Sequence, residues 1–165
     1  MRRRPFLLVA AALLAGAGSA ADAARETGAT ATVTSRSADL DGREGVVMFE
    51  GGVFVRYSSD YTMSADRLYM FLAGSNEVSR VVAIGSVAIT NGTRVGTCAQ
   101  ATYRRRKGEI EMFGDGAGRG ARLEEAGGAR RSVTGSRIRF WLETEQAEAD
   151  DAMIAFERKK GERVL

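Results

Sequence analysis

One pattern, written twice, limits what this chain can fold into. Met48-Phe-Glu-Gly-Gly-Val-Phe-Val55 and Val82-Ala-Ile-Gly-Ser-Val-Ala-Ile89 each run into a glycine, pass one small residue and resume as Val-x-Val or Val-x-Ile. The alternation has period two, so that Phe49, Gly51, Val53 and Val55 share a face, as do Ala83, Gly85, Val87 and Ile89. That is a half-buried strand, not a helix. A glycine on the apolar face inside a strand marks a bend or the close approach of another backbone. A bent strand that recurs predicts a sheet stacked on or wrapped around itself.

The recurrence has a period. Gly51 and Gly85 stand 34 residues apart, as do Ala65 and Ala99 in the matched segments Met63-Ser-Ala-Asp-Arg-Leu-Tyr69 and Thr97-Cys-Ala-Gln-Ala-Thr-Tyr103. A degenerate third copy runs from Glu109 to Gly114 and resumes at Val133-Thr-Gly-Ser-Arg-Ile-Arg-Phe-Trp-Leu142. Equal periods indicate stacked units that cannot bury their faces singly. Asp41-Gly42, Ser58-Ser-Asp60, Ala73-Gly-Ser-Asn76 and Asn91-Gly92 supply the turns. A first strand is expected over Val33 to Leu40, and Gly45 to Tyr57 is one strand or two joined at Gly51-Gly52. Residues 144–156 leave a choice between a helix, favoured by Ala and Glu, and a last strand at Met153-Ile-Ala-Phe156. Twenty glycines against one proline in 165 residues suit a single turn-rich, all-β domain.

The N-terminal residues stand apart. Met1-Arg-Arg-Arg4, an apolar run from Phe6 to about Ala15, and Ala21-Asp22-Ala23 have the form of a secretory signal peptide cut after Ala23 or Ala20. The expected division is 1–23 leader, 24–157 β domain and 158–165 frayed basic tail. Without the leader, 21 basic residues face 20 acidic ones, a net charge of +1 where the whole chain has 24 against 21. The basic pI belongs mostly to the leader, and the mature domain has no basic stripe of the kind a nucleic-acid partner requires.

Few residues suggest chemistry. Gly116-Ala-Gly-Arg-Gly-Ala121 fits G-x-G-x-x-A, but no helix can open behind it before Gly127-Gly128, so a glycine-rich connection is expected and not a nucleotide site. Asp39 and Asp66 lack a neighbouring acid, base or nucleophile, His is absent, and strand-end positions bonded to nearby amides are expected of them. Cys98, the lone cysteine, cannot form an internal disulfide and reads as a small buried residue. No spacing fits a metal. The reading is therefore of a chain that is not an enzyme and needs no cofactor. Arg104, Arg105, Arg106 and Lys107 form a basic turn, either simply solvated or a cradle for anionic head groups. The apolar residues Phe49, Val53, Val55, Met63, Leu68, Val87, Ile89, Ile110, Met112, Ile138 and Phe140 are either plain core or the lining of a groove for acyl chains.

Taken in order, Ser37-Ala-Asp-Leu40, Phe49-Glu-Gly-Gly-Val53, Met63-Ser-Ala-Asp-Arg-Leu68, Ala83-Ile-Gly-Ser-Val87, Ala99-Gln-Ala-Thr-Tyr103, Phe113-Gly114 and Thr134-Gly-Ser-Arg-Ile138 resemble the LptA/OstA-like family of lipopolysaccharide-transport proteins. The likeness spans roughly Val33 to Leu142. Gly52 and Ser86 stand where that family often has Asn, and Gln100 replaces its second Asp. The resemblance implies an open, twisted β-jellyroll of repeated antiparallel strands. It implies a periplasmic protein of the Gram-negative envelope, binding lipopolysaccharide with the acyl chains inside. It further implies LptC-like inner-membrane and LptD-like outer-membrane partners, and copies joined head to tail through edge strands. The alternatives are a sister domain of the LptC or LptD type, or a β-solenoid envelope protein with a dry core.

Overall fold

Two bulges decide the architecture. The structure is a computed structural model describing residues 9–11, 31–57, 61–74, 77–125 and 130–157. Its strands are β1 (Val9–Ala11), β2 (Ala31–Thr34), β3 (Ser37–Asp41), β4 (Val46–Arg56), β5 (Tyr61–Ala73), β6 (Glu77–Asn91), β7 (Arg94–Arg104), β8 (Glu109–Phe113), β9 (Ala121–Glu125), β10 (Arg130–Gly135), β11 (Arg137–Trp141), β12 (Ala147–Asp150) and β13 (Met153–Glu157). A 3₁₀ turn, Arg105–Lys107, joins β7 to β8. Within β4, Gly51 and Gly52 face the single residue Asp66 of β5; within β6, Gly85 and Ser86 face the single residue Ala99 of β7. All four bulged residues have positive φ, +81° and +62° in the first bulge and +81° and +46° in the second. Glycine reaches such angles freely, which accounts for Gly51, Gly52 and Gly85, while Ser86 takes up a left-handed angle that a non-glycine residue rarely adopts.

Each bulge bends its strand so that its two halves serve different parts of one open antiparallel sheet. On one side of the bend lie β2, the second half of β4, the first half of β5, the second half of β6, the start of β7, then β9, β10 and β13. On the other lie β3, the first half of β4, the second half of β5, the first half of β6, the end of β7, then β8, β11 and β12. The sheet is creased into two walls, and the expected open jellyroll of antiparallel strands is present. Tight glycine contacts mark the crease elsewhere: a Cβ on Gly120 would stand 2.6 Å from the Gly135 carbonyl, and one on Gly135 would stand 2.5 Å from that of Asp150.

The same crease cuts strands the sequence writes as continuous. The expected strand over Val33 to Leu40 is two, β2 and β3, parted at Ser35-Arg36, and the 133–142 segment is parted at Ser136 into β10 and β11. Gly45 to Tyr57 remains one strand, bulged and not broken. The ambiguous 144–156 segment is extended, as β12 and β13. Asp39 and Asp66 are not at strand ends: Asp39 pairs with Met48 mid-strand in edge strand β3, and Asp66 sits at the crease, where the missing side chain of Gly85 leaves it room. The expected leader lies outside the described residues except Val9–Ala11, whose backbone pairs antiparallel with β2, and the tail from 158 lies outside them also.

Candidate functional site

Alternation along every strand sends one set of side chains into the space between the walls. Val53, Val87, Leu68 and Ile138 are the largest side chains fully enclosed there, and all eleven apolar residues singled out from the sequence are buried in it. The interior narrows to two small cavities of about 30 Å³ each. Each holds little more than one water's share of volume. One is lined by Ile89, Ile110, Met112, Leu123 and Phe140 among others, the second by Val55, Met63, Leu68, Met70 and Val81 among others. A Cβ on Gly96 would stand 2.7 Å from the Met112 sulfur, so the missing side chain leaves the room that the Met112 thioether of the opposite wall occupies.

Opposite the crease the walls meet through side chains that sequence reasoning missed. Arg94, from β7 on one wall, lies 5.4 Å from the centroid of the Phe140 ring on the other and 3.4 Å from Glu145, with Glu125 at 3.5 Å. Tyr61 borders both cavities, meets Tyr57 edge-on at 6.3 Å, and shares the second cavity with Tyr103 of the opposite wall. Burial pushes the Tyr61 and Tyr103 phenols above the usual tyrosine range. Tyr57 and Tyr61 flank one turn, and the fold brings Tyr103 of the opposite wall to the same lip.

The basic turn divides. Arg104 donates to Glu109 at 2.9 Å and to Glu111 at 2.5 Å, and these bonds raise its pKa. Arg105 pairs with Glu77. Arg106 and Lys107 project into solvent. The four head-group candidates therefore contribute two structural cations and two exposed ones.

The remaining candidates carry no catalytic arrangement. In the glycine-rich loop the Asp115 carboxylate accepts the amides of Ala117 and Arg119 at 2.8 and 3.0 Å, occupying the donors a phosphate would need. Cys98 is partly buried and its thiol is pushed up to about 12 by that burial, leaving no thiolate at neutral pH. Among the described residues no three His, Cys, Asp or Glu side chains gather as a metal set.

At the two sheet ends, backbone edges are open. β3 is exposed at all five residues, and β13 exposes Met153, Ile154 and Phe156, the last two continuing the inward face beyond Val133. Such edges either aggregate or receive a strand.

Comparison with known proteins follows the same lines. Residues 32–146 match the model of a family described as LptA/(LptD N-terminal domain) LPS transport protein. Among solved structures, LptH from Pseudomonas aeruginosa, the LptA-homologous periplasmic component of a lipopolysaccharide transport device, is similar with a TM-score of 0.64. The identity is 14%, covering 79% of this chain and 95% of that one, a likeness of fold. No curated protein matches the chain.

Proposed function

The chain belongs to the LptA/LptD N-terminal-domain family of lipopolysaccharide transport proteins, and on that premise we propose that it is a periplasmic bridge. In this reading it carries lipopolysaccharide from the inner-membrane to the outer-membrane transport complex, with the acyl chains held between the two walls. The observation that carries it is the continuous apolar interior of a sheet that is creased but not closed by strand pairing. An acyl chain transferred into such a space gains about 0.8 kcal/mol per buried CH₂, so a lipid with several chains crosses water at little cost.

In this reading lipid enters by parting the walls at the Arg94 and Tyr61 lip, because the cavities between the walls are small and the crease holds the opposite side by backbone pairing. Arg106 and Lys107 are the cations left to meet anionic head groups. The β2/β3 end, where β1 now covers β2, and the β12/β13 end are where LptC-like and LptD-like neighbours would add strands. The pairing of Val9–Ala11 with β2 supports the receptivity of that edge, which removal of a leader after Ala23 or Ala20 would uncover. No catalytic step is needed.

Native mass spectrometry of the full chain, expressed with its own leader, recovered from the periplasm and titrated with lipopolysaccharide, tests this. The reading expects a saturable one-to-one lipid adduct. A chain that takes up no lipopolysaccharide at any concentration would return the interior to plain core.

A further inference from the structure

The two cavities between the walls are alike in size and differ in charge. The second is lined by uncharged residues alone, whereas the first has one ionised side chain at its mouth, Arg94, beside the apolar Ile89, Ile110, Met112 and Phe140. An apolar slot with a cation at its opening is the complement of an amphiphile, an acyl chain ending in an anionic group.

With the walls closed, that cation is engaged. Glu145 lies 3.4 Å from it, Glu125 3.5 Å, and the Phe140 ring centroid 5.4 Å. These partners belong to different walls. Glu125 of β9 is the direct register partner of Arg94, so it stays beside Arg94 when the walls part. Phe140 of β11 and Glu145, on the turn that leads into β12, are carried by the other wall. Glu145 is loosely placed, its side chain 67% exposed against 23% for Arg94 and its backbone in the left-handed region at φ +55°. Parting the walls removes it.

The charge left at the lip then becomes positive. Glu125 has a second register partner, Arg131 of β10, which shares the inward phase of Leu123 and Val133. With Glu145 in place, Arg94 and Arg131 face two carboxylates; with Glu145 withdrawn they face one, a net charge of +1 beside an opened apolar slot. A guanidinium offers paired N–H donors to a phosphate as well as to a carboxylate.

Resting on the reading that lipid lies between the walls, we propose that Arg94 selects lipid by its phosphate, exchanging the Glu145 carboxylate for that phosphate as the walls part. The acyl chain lies along Ile110 and Met112, and the phosphate stays at the lip with Arg131 beside it. An anionic lipid restores the partner that Arg94 loses on opening. A neutral lipid leaves it one partner short, and selectivity follows from that difference.

The test is calorimetric titration of the exported full chain with two probes below their micellar concentrations, dodecyl phosphate and the neutral dodecyl maltoside, at low and high salt. Wild type is expected to prefer the phosphate roughly tenfold at low salt and less at high salt. Arg94→Gln is expected to bind both probes equally, with Arg94→Lys between, and its retained affinity for the maltoside shows that the interior is intact. Glu145→Gln is expected to tighten both probes, because the tie across the lip is gone, and to keep the preference. No preference in wild type, a preference that survives Arg94→Gln, or a Glu145→Gln chain that binds dodecyl phosphate more weakly overturns the proposal. Titration of wild type with lipopolysaccharide, intact and enzymatically dephosphorylated, separates the two readings. Equal binding of the two forms sinks only this inference, whereas no binding of either form counts against the bridge.

Discussion

A β-carbon placed on Gly85 would stand 2.9 Å from that of Asp66, on a residue whose φ is +81°. Neither the angle nor the space admits a side chain, so Gly85→Ala is expected to cost roughly 1–3 kcal/mol, seen as a lowered urea midpoint. Asp66→Ala in the same chain should return part of that cost, because it removes the clash with the carboxylate and leaves the Cβ contact and the backbone strain. The glycine was legible from the sequence as a bend. Its partnership with Asp66 was not, because the two lie 19 residues apart and meet only through the register of β5 and β6. Titration also belongs at this scale. With no His in the chain, no side chain has its ordinary pKa between 6 and 8, and stability should be nearly flat there. Cys98 is raised from 9.0 to about 12, and Tyr61 is raised above 10.0. Because the folded state holds these protons more tightly, their stabilisation is complete below pH 9 and is lost as pH climbs through and beyond the unfolded values. Thermal melts from pH 8 to 11 should show this decline, and Tyr61→Phe should make it shallower. A decline equally steep in that variant would remove the phenol from the account.

Among the elements, β8 is the most heavily tied by charge. Glu111 is 8% exposed, accepts Arg104 at 2.5 Å and faces Arg137 at 3.5 Å, while Arg137 reaches Asp150 of β12 at 2.5 Å. One row of side chains thus links β7, β8, β11 and β12 on the outward face. Glu111→Gln is expected to destabilise by about 1–2 kcal/mol, discounted for the 39% exposure of Arg104. In a chain of this size that lowers the melting midpoint by roughly 2–8 °C. By contrast Arg119→Ala, which breaks an ion pair to an arginine 92% exposed, should leave the midpoint unchanged. Sequence reading found the strand type of nearly every segment because period-two alternation is a local property. It missed where strands are cut, at Ser35-Arg36 and Ser136, because those cuts lie on the crease, and the crease is set by bulges in neighbouring strands.

For the molecule as a whole, the repeat at 34 residues corresponds to two bent strands, one up and one down, and repetition of that unit generates a creased sheet with a shared interior. The eleven apolar candidates were legible because each lies on the inward phase of its strand. The meetings of Arg94 with Phe140 and of Tyr61 with Tyr103 were not, since each joins two strands that do not pair with one another. That the interior receives acyl chains is the central claim, and β4 offers a direct test of it. Phe49 and Phe54 are aromatic residues of one strand, the first 3% exposed and inward, the second 37% exposed and outward. A photoreactive phenylalanine is placed at either position, and the protein is illuminated in cells that are exporting lipopolysaccharide. The account predicts crosslinks to lipopolysaccharide from position 49 and none from position 54; crosslinks from 54 alone, or from both equally, would contradict it.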